Sequence, residues 1–372
     1  MLMIQRRRLH LSWWMICSAA FIAWSAIVSL GWAIDQSVSL EMVQTLIVTF
    51  TYCFFLYQYI LLRADLKRYL GIYVITTLMF VMVMLVRERA VDFTVTRLGY
   101  VAGVHPNQIG MLSAFAFAAC IVLAGKKKGL LWLLPMPVFL FAIVITMSVT
   151  SAATAGILLI ALLLVRYPKR WGFKLGVLLA AGAAVFYLVI MTENPLSLGV
   201  LHRVRAVALF FLKGEGRGGS TMERGSLITA AWNWFLQRPF TGWGHGCFRL
   251  LEGSLGKYSH SNYMELLVSG GIPMALIYYA GQVGAIIYAI GTLKRTKAAI
   301  VSEERKDLRR LVVVFIVFLT TRVIFDAISV SYFTRPLNSY FILLFAASHL
   351  LAAQEDPAGE PEIKEQDATF SC

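Results

Sequence analysis

The chain has 372 residues, 59% of them hydrophobic and 15% charged, with a mean hydropathy of +0.71. Soluble domains carry about 25% charged residues, so this composition excludes an ordinary water-soluble enzyme and implies a polytopic membrane protein. A formal charge of +14 would suggest nucleic acid in a soluble protein. In a membrane protein it first reports which loops face the cytoplasm, and no nucleic-acid partner follows from it.

Apolar runs of about 17 to 25 residues, enough to cross about 30 Å of hydrocarbon, recur about ten times. They fall near 11–33, 40–62, 69–86, 105–124, 130–149, 151–167, 173–192, 263–291, 311–333 and 336–353, the fifth and sixth nearly contiguous. Arg6, Arg7 and Arg8 precede the first run. That run is longer than a signal-peptide h-region of about 7 to 15 residues and lacks a small-x-small cleavage site, so it reads as an uncleaved first span. With the N-terminus in the cytoplasm, Arg63, Lys67, Arg68, Lys126 to Lys128, Arg166, Lys169, Arg170, Lys174 and the basic residues of 294–310 all fall inside. Outward short connections hold few cations, chiefly Arg87, Arg89, Arg97 and Arg335, so both termini are expected to be cytoplasmic. The expected organisation is spans 1 to 7 in 1–192, an external loop at 193–262, spans 8 to 10 in 263–353, and an acidic tail at 354–372. Five scattered cysteines fit neither a disulfide framework nor a zinc pattern.

The loop at 193–262 is the one connection large enough to fold. Its Arg203, Arg205, Lys213, Arg217, Arg224, Arg238, Arg249 and Lys257 outnumber Glu193, Glu215, Glu223 and Glu252. Long loops escape the positive-inside rule, so this excess reads either as ordinary loop composition or as an anion site. A short helix around 200–212 would set Arg203 and Arg205 at the membrane surface, where headgroup contact is the competing explanation. After the flexible Gly214-Glu215-Gly216-Arg217-Gly218-Gly219, the pattern Ser220-x-x-Glu223 predicts a capped helix over about 221–237, ended by Pro239. Arg224 shares a face with Ile228, Ala231 and Phe235, and a guanidinium on a packed face needs an anionic partner.

A glycine-rich turn at 239–248 follows, with Trp243 suited to the membrane interface. His260 then stands at the mouth of the eighth span, with Tyr263 and Glu265 entering it. A lone histidine is more often structural than catalytic, but an ordinary pKa near 6.5 and a cation-rich setting suit a general base. In the ninth span Arg322 and Asp326 stand at i and i+4, either a self-satisfying ion pair or a border of a substrate cavity.

At these residues the chain resembles the O-antigen ligase and polymerase superfamily of bacterial envelope glycan enzymes. Arg224 and Trp232 precede Pro239-Phe240-Thr241-Gly242-Trp243-Gly244-His245-Gly246-Cys247-Phe248. His260-Ser261-Asn262-Tyr263-Met264-Glu265-Leu266-Leu267 then leads to Gly270-Gly271-Ile272, exchanging only the Asn and Ser of the family's H-N-S-Y-L-E-L-L. A weaker likeness lies at His105-Pro106-Asn107. One departure is the stretch Ser148 to Thr154, which lacks the Ser-Arg of many relatives, so that arginine's role is absent or falls to another residue such as Arg97.

The resemblance implies an all-α, GT-C-like membrane glycosyltransferase with a folded helical external loop. It would take a glycan from an undecaprenyl diphosphate carrier and pass it to a sugar hydroxyl at the periplasmic face of the inner membrane. His260 and Arg224 are its expected catalytic residues, with Arg203, Arg205 and Arg224 on the diphosphate. Asn262, Tyr263, Glu265, Trp243, Arg97, Arg322 and Asp326 are expected around the substrate cavity. No paired-carboxylate motif appears in the outer segments, so no metal and no cofactor are expected, and arginines would stabilise the leaving diphosphate. The acceptor is lipid A core for a ligase, the leading reading, or another lipid-linked repeat unit for a polymerase. A transporter of an anionic solute is the alternative from another class, against which the spans show no repeated halves.

Overall fold

A computed structural model describes residues 9–63, 65–93, 96–124, 127–166, 219–296 and 303–353. The expected seventh span, the short helix near 200–212, Arg203, Arg205 and the acidic tail lie outside these residues. Among the described residues the secondary structure is entirely helical. The helices are α1 (Trp13–Gly31), α2 (Gln36–Arg63), α3 (Leu66–Arg87), α4 (Pro106–Leu123), α5 (Met136–Ile145) and α6 (Val149–Arg166). They continue with α7 (Gly219–Gln237), α8 (Asn262–Arg295), α9 (Glu303–Phe325) and α10 (Arg335–Ala353). The protein is a multi-pass membrane protein: α1, α2, α3, α4, α8 and α10 are long and apolar enough to cross a bilayer.

Helix starts follow local chemistry. Ser12 accepts the Met15 amide, Asp65 that of Arg68 and Ser261 that of Met264, each satisfying an orphan donor of the first turn. The expected fifth span is interrupted, because Pro135 and Pro137 divide a 3-10 stretch at Lys127–Leu133 from the ten-residue α5. Met147, at φ +46, separates α5 from α6. The expected ninth span also shifts. Helix α9 begins within the charged connector and stops at Phe325, because the Asp326 carbonyl is taken by the backbone amide of Asn262 at 2.7 Å.

The core gathers on α10, whose Tyr340 and Phe341 to Phe345 are buried. Tyr340 packs on Phe115 of α4 at 4.3 Å and on Phe318 of α9 at 4.9 Å between ring centroids. Aromatic pairs of this kind add about 0.5–1.5 kcal/mol beyond area burial. Small buried residues of α4, including Ala114, Ala116 and Ala118, let neighbouring helices approach closely. At the bundle end that holds the α2–α3 and α8–α9 connections, charge is handled on the surface: Asp307 pairs with Lys67 at 2.9 Å and Arg310 at 3.0 Å. The opposite end holds the loops at 88–105, 239–261 and 326–334.

Candidate functional site

Helix α8 is broken. Gly270 and Gly271 have non-helical backbone and Pro273 follows, with no N–H to give to the Ser269 carbonyl. The amide of Ile272 turns aside to the Pro239 carbonyl at 2.8 Å, which deprives Val268 as well. The turn at 239–246 fills the vacancies: Trp243 N–H donates to Val268 O and Gly244 N–H to Ser269 O, both at 2.9 Å. The Trp24 indole closes on Gly270 O at 2.9 Å. Irregular backbone within a membrane protein is tolerated where protein re-satisfies it, and here the loop does so. Gly242 and Gly271, at φ +67 and +72, are required: a Cβ would lie 2.4 Å from the Ser269 carbonyl carbon in one case and 2.5 Å from that of Phe240 in the other.

This docking determines what the turn's side chains do. Trp243 donates its indole N–H to Trp234 O at 2.8 Å, stands edge-on to the Trp234 ring and carries the Arg238 guanidinium 3.9 Å above its own. These contacts make Trp243 a bracket between α7 and the turn. His245 is fully buried, its amide donating to Ser39 Oγ at 2.8 Å and its Nδ1 meeting Ser25 Oγ at 3.0 Å. Burial pushes its pKa down to about 3, so the imidazole is neutral.

The second turn, 258–262, works in the opposite sense. Ser259, Ser261 and Asn262 are buried, while His260 between them is half-buried with φ +58. Ser259 donates its amide to Glu265 Oε2 and its hydroxyl to Ser261 O, both at 2.8 Å. The Asn262 side chain donates to Asp326 Oδ2 at 3.1 Å and accepts the amides of Ser331 and Tyr332 at 2.9 and 3.0 Å. A non-glycine residue in the left-handed region costs about 1–3 kcal/mol and persists where its surroundings over-determine it. The neighbours of His260 supply that determination.

Five residues expected around the substrate cavity, Asn262, Tyr263, Glu265, Arg322 and Asp326, belong to this support. Asp326 accepts Ser331 Oγ at 2.6 Å and Tyr279 OH at 3.0 Å, with Arg322 Nη2 at 4.0 Å. Tyr263 donates to Val323 O at 2.8 Å and stacks on Tyr279. Asn262, Glu265, Arg322 and Asp326 are each at most 8% exposed, and Tyr263 is tied into the same junction. Buried polar groups seek hydrogen-bond partners: Asn262 with Asp326 and Tyr263 with the Val323 carbonyl join the start of α8 to the end of α9, while Glu265 holds the Ser259 amide.

His260 is surrounded by charge. Its pKa is lowered from the ordinary 6.5, first by burial and then by Arg224, with His105 and Lys257 adding to the fall and Glu223 opposing it. Arg224 and Glu223 come from the first turns of α7, which runs over Gly219–Gln237 as the sequence predicts. Lys257 pairs with Glu223. Arg224 is half-buried, on the face of Leu227, Ala231 and Phe235.

The loop before α4 supplies the rest. The buried Glu88 carboxylate accepts the amides of Gly99 and Ala102 at 2.8 and 2.7 Å. Arg97 donates from Nε to Thr146 O at 2.7 Å and from Nη2 to Asn107 Oδ1 at 2.6 Å. His105, whose pKa falls through burial, Arg97 and Arg224, caps α4. The sequence reading gave His105 no role, although Pro106 at the first helical position marked it as a cap. His260, Arg224, Glu223, Lys257, His105 and Arg97 thus form one electrostatic cluster at the loop end of the bundle.

No curated protein matches the chain. Residues 134–279 match the family model described as O-antigen ligase, a segment running from before α5 through both turns into α8. Over this segment the multi-pass membrane protein is similar to O-antigen ligases.

Proposed function

We propose that the protein is an inverting, metal-independent membrane glycosyltransferase of the O-antigen ligase type. It transfers a glycan from undecaprenyl diphosphate to a hydroxyl of a lipid A core sugar at the periplasmic face of the inner membrane. The observation that carries the reading is His260, held in a left-handed turn by buried serines beside Arg224 within the segment matched to the family. Burial and adjacent cations keep its imidazole in the neutral form a base requires at neutral pH.

In the proposed step the acceptor hydroxyl oxygen attacks C1 of the donor sugar and its proton passes to the His260 imidazole. The C1–O bond to the diphosphate breaks as the new C1–O bond forms, and the electron pair leaves with the diphosphate. One displacement inverts C1. Arg224, joined by Arg203 or Arg205, stabilises the charge gathering on the leaving group, and a fork of N–H donors suits a phosphate better than a point charge. Asn262, Asp326 and Arg322 act one step back, holding the turn. The cations at the far end, Lys67 and Arg310 among them, support an orientation with that end in the cytoplasm and His260 outside.

The glycan phenotype of a deletion strain tests the assignment. Uncapped core together with full-length carrier-linked polymer is the expected result. Core bearing one repeat unit would instead identify a polymerase that joins lipid-linked repeats, and unaltered glycans would refute both.

A further inference from the structure

Resting on the reading above, the second imidazole of the cluster has a distinct chemical character. His105 Nδ1 accepts the backbone N–H of Asn107 at 3.2 Å, as the cap of α4. A ring nitrogen that accepts carries the lone pair, so the proton of the neutral ring sits on Nε2. Nδ1 is occupied and Nε2 is a donor, which makes His105 unsuited to take a proton and suited to give a hydrogen bond. Its mounting is firm: Glu88 ties the preceding loop at two amides, Arg97 joins Thr146 to Asn107, and Pro106 restricts the backbone that follows. His105 is exposed as a residue, with its ring partly desolvated by its neighbours, and stands in the fields of Arg97 and Arg224. Those cations would draw the diphosphate to this point.

We propose that His105 donates its Nε2–H to a non-bridging oxygen of the departing diphosphate, as a neutral partner to Arg224. Neutrality has a purpose. A further cation here would stabilise the leaving group but would also lower the basicity of His260, whereas an uncharged donor aids departure and spares the base.

Two substitutions separate this role from capping. Asn places an acceptor near the Nδ1 position and is among the strongest caps, but has no donor at the Nε2 position. Gln extends an amide N–H toward the Nε2 position and caps poorly. The assay is transfer by the full chain, reconstituted in membranes with lipid-diphosphate-linked glycan and acceptor. His105→Asn is expected to lose about 10²–10³ in kcat, the effect of removing one oriented donor. His105→Gln is expected to recover most of that loss. Wild-type turnover in His105→Asn, or a Gln variant as slow as the Asn variant, would overturn the proposal and leave His105 as a cap alone. His260→Ala, run alongside, tests the underlying reading separately: if it keeps the wild-type rate, the base assignment fails whatever His105 does.

Discussion

The turns at 239–246 and 258–262 each present one histidine and lie fewer than twenty residues apart, yet the bundle uses them oppositely. The first spends its backbone on the break in α8, so that Trp243 and Gly244 cap carbonyls and His245 is driven into the core. The second buries the residues on both sides of His260 and leaves the imidazole half-exposed in a left-handed backbone. Glycine serves the first because backbone must touch backbone. Serine and asparagine serve the second because short polar side chains can hold a turn from beneath. The lesson is that two histidines of one motif-rich segment divide into a buried scaffold and a reachable imidazole by where the backbone hydrogen bonds go.

Opposite substitutions sharpen that contrast. His260→Gly relieves the left-handed strain, so stability measured by thermal unfolding in detergent should hold or rise by about 1 kcal/mol. Transfer should nonetheless fall by about 10²–10⁴, the usual worth of a general base. If transfer survived, the turn at 258–262 would be scaffold like its neighbour. Arg224→Lys is next in size. A compact ammonium cannot reproduce the guanidinium fork, and a loss of about 10²–10³ in kcat at unchanged expression is expected; a rate within threefold of wild type, taken as roughly the scatter of such assays, would break the phosphate assignment.

Gly242→Ala should do the reverse of His260→Gly. Its new Cβ would stand 2.4 Å from the Ser269 carbonyl carbon at φ +67, and overpacking costs about 1–3 kcal/mol. Folded yield should drop, and His245→Ala should lower it too by leaving a core cavity, while turnover per folded His245→Ala molecule stays as in wild type. A His245→Ala protein that folds normally but has lost transfer would erase the distinction between the turns.

The smallest effect is in pH. Because the His260 pKa lies below 6.5, the neutral base is present at pH 7 and activity is lost as pH falls through the lowered value. Among the described residues Glu223 raises that pKa, against Arg224, His105 and Lys257. Glu223→Gln should therefore move the acid limb of kcat/KM to lower pH, and a shift upward would mean that another group sets the limb.

Much of this was readable in the sequence, and the reasons for the rest are specific. Apolar runs announced the membrane helices, and Pro239 ended α7 where proline must. The break in α8 was harder to see, because Gly270-Gly271-Ile272-Pro273 lies within an apolar run and hydropathy does not record which carbonyls have lost their donors. Arg322 and Asp326 were left between ion pair and cavity wall, since i and i+4 spacing shows only that they can meet. The bonds from Asn262, Tyr279 and Ser331 place Asp326 in a support that joins two helices, which spacing alone does not reveal. His105 stood in the sequence only as part of the weak likeness at His105-Pro106-Asn107, because its electrostatic setting depends on Arg224 and His260, which are distant from it in the chain.

The sequence by itself determined the solvent and the local backbone. Apolar length requires a bilayer, proline and glycine dictate where helices stop or break, and the basic loops bias the orientation. Only the tertiary structure decided which of several similar polar residues are reachable. Accessibility and proton affinity depend on groups brought together from α4, α7 and α8, and the electrostatic field they share exists only once the chain has folded.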